Sequence, residues 1–172
     1  MNKIFLIFAV FLFIFTVKAQ DSTSMKYADN SSIVGVWQNQ ASLGSGWDNT
    51  YLFFPDGTFK FFYSQMDCAK RDVSYSGTWT IKGDELRLTK KEKVIVSGGE
   101  LQKSDGSCAS DFMIVGGTEK RIKVKKNKKE TCSISDIYKD EGENPKDIVY
   151  IDAIKFWRFS SSPEEIIKNF EK

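Results

Sequence analysis

Between residues 33 and 88 the chain alternates short β-rich runs with turn residues, and this alternation limits the folds open to it. The runs lie at 33–38, 50–54, 58–64 and 74–81, with another from 85 to about 96. Their aromatic and β-branched residues suit a pleated, half-buried surface. Pro55-Asp56-Gly57 makes a tight turn, because Pro presets φ and Gly accepts φ > 0. Lys82-Gly83-Asp84 turns the chain again. Within 74–81, Tyr75, Gly77, Trp79 and Ile81 fall on one face, and Ser76, Thr78 and Thr80 on the other. Leu86 and Leu88 point inward at the start of the next run. Strands joined by tight turns rather than helices pair antiparallel.

The rest of the chain continues the pattern. Residues 39–49, 65–73, 97–110 and 127–146 are polar and read as long loops. Further strands are expected at 111–115, 119–126 and 147–159, with Gly116-Gly117 as the turn between the first two. Ser162, Pro163 and Glu165 carry the marks of a helix start, and Ile166, Ile167 and Phe170 give that helix an apolar side. A helix this short must dock on the sheet to be stable. The expected fold is all-β: an eight-stranded antiparallel up-and-down barrel with a short C-terminal helix. Closure would remove both exposed edges.

In such a meander the tight turns gather at one end and the long loops at the other. Cys68, Cys108 and Cys132 each lie in a long loop, so they would meet at one rim. Three is odd, which leaves one thiol over. Adjacent loops favour Cys108 with Cys132, although spacing does not decide the pair. Three unrelated thiols are the other reading.

The first 19 residues stand apart. Lys3 precedes an apolar run from Ile4 to Val17, and small or modest residues follow at Val17-Lys18-Ala19. This is the pattern of a cleaved export signal, with the mature chain starting near Gln20. The run is too short for a comfortable membrane span. The expected division is a signal peptide at 1–19, a flexible segment at 20–31 and one domain at 32–172. The protein is expected to be secreted or periplasmic, a compartment that permits disulfides. The full chain has 25 basic and 23 acidic residues. Removing Lys3 and Lys18 brings them level, which does not support a global attraction to nucleic acid or an anionic membrane; no nucleic-acid partner is expected, and the short apolar run argues against stable membrane insertion.

Two further features connect the ends of the domain. Gly35-x-Trp37 opens the first strand, and Arg158 closes the last. The pair resembles the Gly-x-Trp motif of the lipocalins and the basic residue that packs over its Trp. The resemblance implies a structural role for Gly35, Trp37 and Arg158. There, Trp plugs the barrel floor and a guanidinium stacks on its face. The helix after the last strand is also similar to the family. Gly77-x-Trp79 repeats the tripeptide, and Gly116-Gly117-Thr118-Glu119 departs from the family's usual turn. The chain thus resembles a lipocalin-like, calycin-type exported domain.

The resemblance implies a small hydrophobic or amphipathic ligand held inside the barrel. Phe59, Phe61, Tyr63, Tyr75, Trp79 and Leu86 are the residues that would line its site. An eight-stranded barrel holds either packed side chains or one small ligand, and both readings stay open. The alternative function is a protein-binding module, an inhibitor or assembly factor with a filled barrel. It would act through rim loops, with Leu43 and Trp47 as its apolar contacts. The basic run from Lys120 to Lys129 reads first as a solvated strand face and an edge defence. It reads second as a site for an acidic group. Acidic residues Asp136, Asp140, Glu141 and Glu143 follow it.

Catalysis has little to work with. There is no His, which excludes Ser-His-Asp and Cys-His arrangements and His metal sites. Asp56 and Asp84 could pair, but each sits where a turn favours Asp. The cysteine spacing matches no zinc pattern. No catalytic residue, metal or cofactor is expected, and the protein is not expected to be an enzyme. The expected partners are a small apolar molecule or lipid, or a protein.

Overall fold

The computed structural model of the protein describes residues 28–40, 48–106, 108–141 and 143–170. The expected signal at 1–19, the start near Gln20, and Leu43 and Trp47 lie outside the described residues. No helix among the described residues is long and apolar enough to cross a membrane.

The described residues form nine strands and one helix. The strands are β1 Gly35–Gln38, β2 Thr50–Phe53, β3 Thr58–Phe62, β4 Asp72–Lys82, β5 Glu85–Lys103, β6 Phe112–Ser133, β7 Tyr138–Lys139, β8 Asp147–Ile151 and β9 Ile154–Ser160. The helix α1 is Pro163–Phe170. All strand pairs are antiparallel, in the order β6-β5-β4-β3-β2-β1-β9-β8-β7. The first and last strands of the expected barrel, β1 and β9, are therefore neighbours.

The sheet does not close into a barrel, and it has nine strands rather than eight. Strand length is the physical reason. β1 and β2 have 4 residues each and β3 has 5, whereas β5 has 19 and β6 has 22. β4 pairs with β5 only as far as Asp72 opposite Ile95. Beyond that, β5 and β6 continue as a two-stranded arm. The opposite end does come round: Ile134 bridges to Ile151, and Ser135 N donates to the Tyr150 carbonyl at 3.0 Å. The sheet is drawn together there and splayed where the arm leaves.

Three expectations fail locally. Gly116-Gly117 is not a turn, because the strands expected at 111–115 and 119–126 are one continuous strand, β6. Gly117 faces Gly98 across the arm. A Cβ on Gly117 would lie 2.4 Å from a Val96 methyl, and one on Gly99 would lie 2.7 Å from Gly117 N. Gly99 and Gly117 let the two backbones approach closely, while Gly98 and Gly116 take positive φ of 70° and 75°. The turn itself lies at 104–111, closed by Ser104 N donating to the Asp111 carbonyl at 2.8 Å. Next, the single strand expected at 147–159 is a hairpin, β8–β9. Asp152 and Ala153 both take positive φ, 49° and 63°, the backbone that a two-residue hairpin requires.

The third failure is the disulfide. Cys68 bonds Cys108, not Cys132. Cys108 sits at the tip of the arm, where the β3–β4 loop reaches it. There Ala109 N donates to the Met66 carbonyl and Ile114 N to the Cys68 carbonyl. Cys132 lies at the other end of β6, opposite Leu86 and buried. The bond links residues 40 apart, which on chain-entropy grounds stabilises the fold by about 4 kcal/mol.

The sheet buries both faces near its short strands. The inner face carries the main core, including Trp37, Phe53, Phe59, Leu86, Leu88 and Phe156. On the outer face Val36, Leu52 and Phe62 pack with Phe54 and with Ile166 and Ile167 of α1. The helix therefore docks on the outside of the sheet.

Peptide mapping of the unreduced protein should recover Cys68 linked to Cys108. Cys132 should resist iodoacetamide until denaturant is added. A Cys108–Cys132 peptide, or labelling of Cys132 in the native state, would contradict this arrangement.

Candidate functional site

At the drawn-together end, Arg158 lies across Trp37. Its guanidinium carbon is 4.2 Å from the ring centroid. Its Nη1 donates to the Val34 carbonyl and its Nη2 to the Ser32 carbonyl, both at 2.6 Å. Its Nε donates to Asp147 at 2.9 Å. Trp37 Nε1 donates to the Ile33 carbonyl at 2.7 Å. Gly35 is the residue that admits this arrangement. Its φ is +140°, and a Cβ there would lie 2.8 Å from Arg158 Nη1. One guanidinium thus holds the entry to β1, the stacked indole and β8. Asp147 is held below the usual carboxylate range, chiefly by its bond from Lys139 and then by Arg158.

Above this floor the interior is packed ring on ring. Tyr51 lies 4.5 Å from Phe61 and 5.4 Å from Phe156, centroid to centroid. Phe53 lies 5.3 Å from Trp79, and Phe61 lies 4.7 Å from Tyr75. Of the residues expected to line a ligand site, Phe59, Phe61, Trp79 and Leu86 are buried in this cluster with Tyr75. Tyr63 packs against its edge. All six therefore come together. Tyr63 and Tyr75 share one open space.

That space is a cleft of about 340 Å³ at the splayed end. β4 supplies Asp72, Ser74 and Tyr75, and β5 supplies Lys90 and Lys93. β6 supplies Lys123, Val124, Lys125 and Lys128. Lys90 and Lys93 belong to the inner face, since they pair with Gly77 and Tyr75. The pairing of β5 with β6 jumps from Lys90–Lys128 to Glu92–Lys123. β6 therefore bulges between these points. Lys126 and Asn127 take φ of 62° and 39°, a left-handed backbone uncommon for non-glycine residues. Such bulges re-aim side chains, here Val124 and Lys125 at the cleft.

The chemistry of the cleft is aromatic below and cationic above. The Lys90 ammonium lies 3.9 Å from the Tyr75 centroid and pairs with Glu130 at 2.5 Å. Lys93 pairs with Asp72 at 3.8 Å. The Tyr75 and Tyr51 hydroxyls meet at 3.3 Å. Burial pushes both phenols above their ordinary value, so both stay neutral. Burial likewise pushes the Cys132 thiol up to about 12, with Asp152 and Glu130 adding to it, which makes it a poor nucleophile. Asp56 accepts from the Thr58 amide at 2.8 Å and its hydroxyl at 2.6 Å, the work of a turn residue. The acidic segment after β6 makes no ion pair with the basic run among the described residues; Glu92 of β5 pairs with Arg121 of that run at 3.3 Å.

The sequence did not point to the inward lysines. Alternation from Leu86 and Leu88 places Lys90 on the inner face, and this was the available signal. Lys93 reaches that face only through the irregular pairing of β4 with β5.

A Trp-plugged antiparallel sheet with an outer helix and a cleft above an aromatic core is consistent with a lipocalin-like fold. Residues 33–109 match the family model of the lipocalin-like domain. This span is under half of the chain and covers β1 to β5 and both disulfide cysteines. Over this span the chain is similar to the lipocalin-like domain, although its sheet stays open. Comparison with curated proteins and with solved structures found no match.

Replacing Arg158 by Ala should cost about 3 kcal/mol in denaturant unfolding, because Asp147 and two carbonyls lose their donor. The depressed carboxyl of Asp147 contributes stability above its ordinary value of 3.8, and that contribution fades as pH falls below it. Asp147→Asn should therefore unfold with a shallower dependence on pH below about 4 than the parent protein. An equal slope would show that Asp147 plays no part in acid unfolding.

Proposed function

We propose that this protein is an exported binder of a small amphipathic molecule, held in the cleft of Tyr63, Tyr75 and Val124 rather than deep within the sheet. It works as a binding protein, not as an enzyme. The observation that carries this reading is a cleft of about 340 Å³ directly above a filled aromatic core. Small-molecule sites are concave and mostly apolar with a few placed polar groups, and volumes begin near about 300 Å³. The lipocalin-like domain supports a binding role. The Cys68–Cys108 disulfide is compatible with export.

The filled core also favours the protein-binding alternative. Leu101, Phe112 and Val115 are exposed on the arm and would supply its apolar contacts. A cleft binder and an arm binder respond to different substitutions. Tyr63→Ala and Val124→Asp should each weaken binding of a fluorescent amphipathic probe roughly tenfold, whereas Leu101→Ser should not change it. Probe binding that survives both cleft substitutions would overturn the cleft reading.

A further inference from the structure

The cleft gathers cations that the fold does not neutralise. Lys90 and Lys93 rise from the inner face of β5, continuing the row that begins with Leu86 and Leu88. Strand alternation normally keeps lysines on the solvent face. Glu130 and Asp72 answer these two. The bulge of β6 then brings Lys123, Lys125 and Lys128 to the same cleft. None of these three makes an ion pair among the described residues. Like charges set close together repel, and the repulsion strengthens beside apolar rings. The bulge adds to that cost, because two non-glycine residues hold a left-handed backbone.

We propose that the cleft recognises a doubly charged oxyanion of the phosphate-monoester class, carried on a small amphiphile whose apolar part lies on Tyr63, Tyr75 and Val124. This rests on the amphiphile reading and adds the identity of the polar end. Lysine ammoniums act as point charges with three donors each and meet phosphate without a fixed geometry. Three unanswered cations suit a dianion better than a single carboxylate. The Tyr75 hydroxyl faces Tyr51 and the Lys90 ammonium lies over its ring, so Tyr75 meets the guest as a neutral aromatic wall that carries a cation rather than as a second anion.

The test is isothermal titration calorimetry on the mature protein with four probes below their micelle concentrations. These are octyl phosphate, octanoate, neutral octyl glucoside and inorganic phosphate. Octyl phosphate should bind most tightly, with octanoate and octyl glucoside roughly tenfold weaker or worse. Raising salt from about 50 to 300 mM should weaken octyl phosphate by a similar factor, because screening acts on exposed charges. A triple variant with Lys123→Gln, Lys125→Gln and Lys128→Gln should lose octyl phosphate affinity at least tenfold and keep its affinity for octyl glucoside. Its far-ultraviolet dichroism should match the parent, since all three side chains are exposed. Equal binding of octyl glucoside and octyl phosphate would overturn the anion proposal and leave the amphiphile reading standing. Binding of inorganic phosphate as tight as octyl phosphate would keep the anion site and overturn the amphiphile. No binding by any probe would overturn both.

Discussion

The fold depends on one guanidinium. Arg158 arrives at the end of β9 and meets the chain just before β1, more than a hundred residues earlier. It closes three hydrogen bonds and covers the Trp37 ring. Without that contact, β1 would lose what positions its entry against β9 and β8. Two strands of 4 residues cannot hold a register by their own ladders, so a side-chain clasp fixes it for them. The Gly35 conformation, the buried indole and the placement of β8 all follow from making room for this clasp.

Away from the clasp, strand length decides the architecture. Short strands near β1 gather tightly around the rings, and the long β5–β6 pair outruns them. The sheet cannot close around strands of such unequal reach. The space left where they diverge is the cleft, and the disulfide at the arm tip ties the overhang back to the β3–β4 loop. The aromatic floor and the open rim thus have separate origins, one in packing and one in mismatch.

Much of this was legible in the sequence, where local chemistry and global fold agree. Tyr75, Gly77 and Trp79 alternate inward as expected, and the turns at Pro55-Asp56-Gly57 and Lys82-Gly83-Asp84 join the strands they separate. What escaped was chemistry with two meanings. A Gly-Gly pair signals a turn or a close backbone approach, and only its partner across the arm, Gly98-Gly99, tells which. Asp152-Ala153 makes a two-residue hairpin without the usual Gly, so the residues carried no warning. The cysteine pairing followed from the strand count. Merging two expected strands into β6 moved Cys108 away from Cys132. The cleft lysines were obscured because a bulge resets alternation, and alternation was the instrument for reading faces.

β6 is the outermost strand of the sheet, and almost all of its length offers an unpaired edge. Such an edge invites a neighbouring chain to add itself as another strand, and positive charge is what discourages it. The lysines of β6 thus hold two posts, crowding the cleft and guarding the edge. An anion that quiets them in the first post also disarms them in the second. Filling the cleft with such an anion would then couple its occupancy to strand pairing at this edge through the same few ammonium groups.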